Sequence, residues 1–141
     1  MRVGGRFLDP STLTRAERIV ALAAWLGVIN AAIPWWYRVS TAAGRTVQFS
    51  AGIDWTGLVA WGCFGLAGVL VLVRAWIWPE PAPHRDGAIY LLLGIVALVS
   101  LSVQSFTQDD AWLGFFVGVL LAGLLALGGA TRRRERGAGW R

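Results

Sequence analysis

The run GAIYLLLGIVALVSLSVQSFTQ, residues 87–108, holds no charged side chain over 22 positions. At a helical rise of about 1.5 Å per residue it reaches about 33 Å, enough to cross a hydrocarbon core of roughly 30 Å. Three further charge-free blocks lie around it: residues 19–36 (18 residues), 55–73 (19) and 111–131 (21). Backbone inside lipid has no water to bond, so each block reads as a helix that satisfies its own N–H and C=O groups. The whole chain of 141 residues is 56% hydrophobic and 15% charged, with a mean hydropathy of +0.57. That balance excludes an ordinary soluble domain. The expected fold is all-α: a single integral membrane domain, residues 1–141, built as a four-transmembrane-helix bundle. Its spans are expected at about 16–36, 55–78, 87–107 and 111–131, followed by a basic tail at 132–141.

Local signals set the expected helix ends. Thr14-Arg15-Ala16-Glu17 has the S/T-x-x-E spacing of a capping box, which starts the first helix at Arg15. Its apolar part is read as running to Trp36, where Pro34, Trp35, Trp36 and Tyr37 form an aromatic end suited to a membrane interface. A cleavable signal peptide is the competing reading of residues 19–29, but cleavage after Ala32 would put Asn30 where a small residue is wanted. Residues 37–54 form the first connection. There Thr46-Val47-Gln48-Phe49-Ser50 alternates polar and apolar, and Gly44 precedes it, so a short β-hairpin and an irregular surface loop stand as equal readings. Asp54 is a natural N-cap for the second helix, while Pro79-Glu80-Pro81-Ala82-Pro83 cannot continue one. Asp109 and Asp110 make a tight turn whose charge suits the amino terminus of the fourth helix, which is expected to stop near Thr131.

All 13 basic residues are arginine. With the amino terminus inside, eleven of them fall on the cytoplasmic side and only Arg38 and Arg45 outside, so both termini are expected in the cytoplasm. Trp35, Trp36, Trp55 and Trp112 then mark the outer interface, and Trp76 and Trp78 the inner one. Trp25 and Trp61 lie deeper, as packing residues. Arg132, Arg133, Arg134 and Arg136, directly after a span, suit contact with anionic lipid head groups. Flanking apolar spans in this way, the arginines give no reason to expect nucleic acid as a partner.

Enzyme signatures are missing: there is no Gly-x-Ser-x-Gly, no P-loop and no His-Glu-x-x-His, and the one histidine, His84, sits in the proline-rich loop. The single cysteine, Cys63, lies inside an apolar block, so no internal disulfide and no cysteine-based metal cluster can form. No catalytic, cofactor-binding or metal-binding residue is expected, and no cofactor. No ionisable residue lies deep in a span, where proton- or ion-coupled transport needs one. The most polar membrane feature is an outer cluster: Ser100, Gln104 and Thr107 share a helical face, with Asn30 in the outer half of the first helix. It reads either as interhelical glue or as a small vestibule, and glue is the commoner use of such residues.

Gly114, Gly118, Ala122 and Ala126 repeat every fourth position and form a helix-packing face. Gly62, Gly65 and Gly68 make a second such face, and Ala23, Gly27 and Ala31 a third. A face left over after the bundle forms would serve self-association or docking to a larger membrane partner.

The short basic amino tail, the Pro34-Trp35-Trp36-Tyr37 end of the first helix, the return at Asp54-Trp55 and three more spans resemble the small four-helix integral membrane proteins of unknown function frequent in actinobacteria. That resemblance implies an inner-membrane location and no particular activity. The sequence reading is a non-enzymatic accessory or scaffold subunit of the cytoplasmic membrane. Its alternative is an oligomeric small-molecule or ion-conducting protein lined by the polar outer cluster.

Overall fold

The computed structural model describes residues 13–34, 36–40, 46–50, 55–77, 86–107, 111 and 113–137. Asp54, the proline-rich loop with His84, the Asp109-Asp110 turn, and Trp35, Trp78 and Trp112 lie outside the described residues. Four helices carry the structure: α1 (Arg15–Asn30), α2 (Trp55–Ile77), α3 (Asp86–Thr107) and α4 (Leu113–Gly137). Between α1 and α2, strands β1 (Trp36–Ser40) and β2 (Thr46–Ser50) pair antiparallel, with Trp36 opposite Ser50 and Ser40 opposite Thr46.

The capping box forms as the spacing implies. Thr14 is extended (φ −64°, ψ 164°), its hydroxyl accepts from the Glu17 amide at 3.3 Å, and the Glu17 carboxylate accepts from the Thr14 amide at 2.9 Å. At its other end α1 stops at Asn30, six residues before the expected Trp36. Pro34 has no N–H to donate to the Asn30 carbonyl, so the chain tightens instead into three-residue steps. Ala31 bonds Val28, Ala32 bonds Ile29 and Ile33 bonds Asn30, at 3.0–3.2 Å. The end of α4 departs in the opposite direction: the helix runs on through the arginines to Gly137 rather than stopping at Thr131. Arginine is a good helix former, and its charge is favourable in the last turns of a helix.

Among the described residues, three helices are long and apolar enough to cross a membrane, over Gly57–Ala75, Gly87–Phe106 and Leu113–Arg134. They mark the chain as a membrane-embedded protein. α1 is the exception, because its 16 residues reach only about 24 Å and its first turn carries Arg15, Glu17 and Arg18.

α1 packs on α2 and α4, and α3 packs on the same two helices. Neighbours run antiparallel, as three ties show: Glu17 of α1 reaches Arg132 near the end of α4, Trp61 of α2 reaches Val28 of α1, and Gly94 of α3 lies against Ala126 of α4. Small residues line much of the interior, with Ala16, Ala23, Ala24, Ala60, Ala67, Ala97 and Ala122 buried beside Phe64, Leu101 and Leu125, while Leu22, Leu92, Val99, Leu120 and Leu127 point outward. Large aliphatic side chains on the outside and small ones at the helix contacts suit lipid as solvent, where close backbone approach contributes to helix association. α3 and α4 show how close that approach is. A Cβ on Gly94 would sit 2.7 Å from the Ala126 Cα, and one on Gly129 would sit 2.8 Å from the Gly87 carbonyl oxygen. Hydroxyls on the outer surface bond back to their own helix, Ser102 to Leu98 and Thr131 to Leu127, both at 2.8 Å.

Candidate functional site

Antiparallel packing brings the start of α1 and the ends of α2 and α4 to one end of the molecule. Glu17 is there, a carboxylate left only 1% exposed, and its Oε1 forms ion pairs with Arg74 of α2 and with Arg132 of α4, the latter at 3.1 Å. Its other oxygen accepts from the Thr14 amide, and the Arg132 Nη1 donates to the Thr14 hydroxyl at 3.4 Å. A buried carboxylate is costly to desolvate unless it is paired and hydrogen-bonded, and here every contact comes from a different helix or from the cap. The cluster therefore clasps α1, α2 and α4 together.

Sequence reasoning missed this clasp. Glu17 reads as a cap, Arg74 as one of the eleven arginines counted on the cytoplasmic side and Arg132 as a lipid contact; none of these readings joins the three. The available signal was a single acid at the entry of α1, placed by the up-and-down topology level with arginines leaving α2 and α4. Arg132 corrects the expected lipid-contact set: it turns inward to Glu17 because α4 stays helical past Thr131 and presents that position to α1. Arg133 and Arg134 are exposed. Arg136 lies in α4, with its side chain outside the described residues.

At the opposite end the polar residues are built into helix contacts. Asn30 is buried and its Nδ2 donates to the Gly114 carbonyl at 2.8 Å, while the Gly114 amide donates to the Pro34 carbonyl at 3.2 Å. These two bonds tie the tightened end of α1 to the first turn of α4. Gln104 is fully buried and Ser100 buried on the same face of α3. Thr107 ends α3, and its side chain lies outside the described residues.

The small-residue faces separate into closed and open ones. Gly114, Gly118 and Ala122 are buried and Ala126 half-buried against neighbouring helices of the same chain. Gly27 lies against the Phe64 ring, where a Cβ would come within 2.7 Å of Cδ2. On α2, by contrast, a Cβ on Gly62 or Gly65 would meet nothing within 4 Å. Trp25 packs over Gly68, and the Trp61 indole donates to the Val28 carbonyl at 3.3 Å, so both half-exposed tryptophans line the α1–α2 seam. Among the described residues no three His, Cys, Asp or Glu side chains converge as a metal site would require. Comparison with protein-family models, with curated proteins and with solved structures finds no match to this chain.

Proposed function

We propose that the chain is a four-span protein of the cytoplasmic membrane that acts as a non-enzymatic accessory or scaffold subunit. The observation that carries this reading is the contrast between its polar and its small residues. Asn30 and Glu17 are spent on holding helices together, whereas α2 leaves Gly62 and Gly65 open on the outer surface. Small residues on a lipid-facing helix admit another helix at close range. α1 is the fourth span in this reading, supported across the bilayer by its partners rather than by its own length. Arg15, Arg18, Arg74, Arg132, Arg133 and Arg134 all sit at one end of the helix assembly, which supports placing that end, and both termini, in the cytoplasm. The paired strands β1 and β2 then form a hairpin on the outer side.

The test is purification from native membranes in a gentle detergent, with native mass and composition read together. A stoichiometric larger partner that is lost in Gly62→Leu or Gly65→Leu, and kept in Gln104→Ala, is the expected result. A homogeneous homo-oligomer without a partner, whose flux in liposomes changes in Gln104→Leu, would overturn it in favour of a conducting protein.

A further inference from the structure

The clasp sorts the arginines at the basic end into two sets. Arg74 and Arg132 point inward to Glu17, whereas Arg15 and Arg18 on α1 and Arg133 and Arg134 on α4 are exposed. Because α1 packs antiparallel on α4, the four exposed guanidiniums come from the start of one helix and the end of its neighbour, 115 to 119 residues apart in sequence but level in the fold. Arg133 extends the surface toward α3: a Cβ on Gly87 would sit 3.0 Å from the Arg133 Cγ, which lays the arginine stem over the first turn of that helix.

What lies beside these charges identifies the occupant. Ile19 and Leu22 follow Arg15 and Arg18 by four residues, so each exposed arginine of α1 stands one turn from an exposed apolar side chain on the same face. On α4, exposed Leu127 stands seven residues, or two turns, before Arg134 on the same face. A ligand that fits both stripes has an anionic head and an apolar tail along the helix. We propose that the exposed arginines of α1 and α4 together form one docking surface for the phosphate head group of an anionic phospholipid, with Arg132 withheld from it. The sequence by itself names Arg132, Arg133, Arg134 and Arg136 for lipid contact; the fold brings Arg15 and Arg18 level with Arg133 and Arg134 and turns Arg132 inward. The inference rests on the membrane-embedded reading above and not on the assignment of sides.

The experiment reconstitutes the whole chain in vesicles of equal phosphatidylglycerol and phosphatidylcholine, extracts it gently and measures the lipid that stays bound. Wild type is expected to enrich phosphatidylglycerol, and Arg15→Gln with Arg18→Gln, or Arg133→Gln with Arg134→Gln, is expected to cut that enrichment about fivefold per arginine removed. Arg38→Gln, beyond the other end of α1, leaves it unchanged. Equal enrichment in wild type and in the fourfold variant overturns the proposal. So does dependence on the α4 pair alone, and so does displacement of the bound lipid by millimolar inorganic phosphate, which identifies a free-anion site. The two leaflets are alike in these vesicles, so a reversed orientation, which would defeat the sidedness proposed above, leaves this readout intact.

Discussion

Replacing Glu17 by glutamine removes the negative charge that pairs with Arg74 and Arg132. The amide oxygen can still accept from the Thr14 amide, so the cap survives and the change isolates the ionic part of the clasp. With the carboxylate 1% exposed and its partners' side chains 13% and 7% exposed, the remaining guanidiniums cannot simply rehydrate in place. Breaking a buried pair from one side typically costs about 3–5 kcal/mol. Here two arginines lose the same partner, so the upper half of that range is expected, a factor of roughly a thousand or more in the folding equilibrium. The measurement is an SDS titration of the protein in mild-detergent micelles, followed in parallel by tryptophan fluorescence and circular dichroism so that coincident transitions justify a two-state analysis. A second variant checks the reasoning from the other direction. Glu17→Met with Arg74→Leu and Arg132→Met replaces all three charges by apolar groups and is expected to restore stability to within about 1 kcal/mol of wild type or above it. If Glu17→Gln alone stays within about 0.5 kcal/mol of wild type, the clasp carries no net energy and the argument is wrong.

The closed and open glycines give a matched pair: Gly129→Ala drives a methyl into the Gly87 carbonyl and the Leu91 backbone and is expected to cost about 1–3 kcal/mol in the same titration, whereas Gly62→Ala meets nothing and is expected to cost nothing. Asn30→Ala removes the bond to the Gly114 carbonyl and is expected to cost about 0.6–2 kcal/mol. Hydrogen exchange should then show the residues around Ile33 and Pro34 opening before the Glu17 end does.

Much of the fold is legible because lipid imposes a simple rule. A charge-free run of sufficient length must be helical, and α2 and α3 begin and end within a residue of where the composition of their flanks places them. The Thr14 cap is also readable, since its two hydrogen bonds join residues three apart. The end of α1 is not, because hydropathy sees only that Ile33, Pro34, Trp35 and Trp36 are apolar, while the break comes from the N–H that Pro34 lacks. The end of α4 is misread for the complementary reason. A run of arginines reads as the edge of the membrane, and the edge of the membrane is not the end of the helix.

The candidate sites divide along the same line. Asn30, Ser100 and Gln104 are recognisable as glue because polar side chains in apolar runs must find partners, yet the bond from Asn30 to Gly114 joins residues 84 apart. Arg132 and Thr14 are 118 apart. The sequence alone determined the helices, their apolar faces and the gathering of arginines at their ends, since those follow from residues a turn or two apart meeting the same solvent. Only the tertiary structure decided that Glu17 is held by Arg74 and Arg132, that Gly94 and Gly129 are closed while Gly62 and Gly65 stay open, and that Arg132 turns inward. Those outcomes depend on the rotation of each helix about its axis and its height against a neighbour, and both are set by how whole faces interlock rather than by any local stretch of chain.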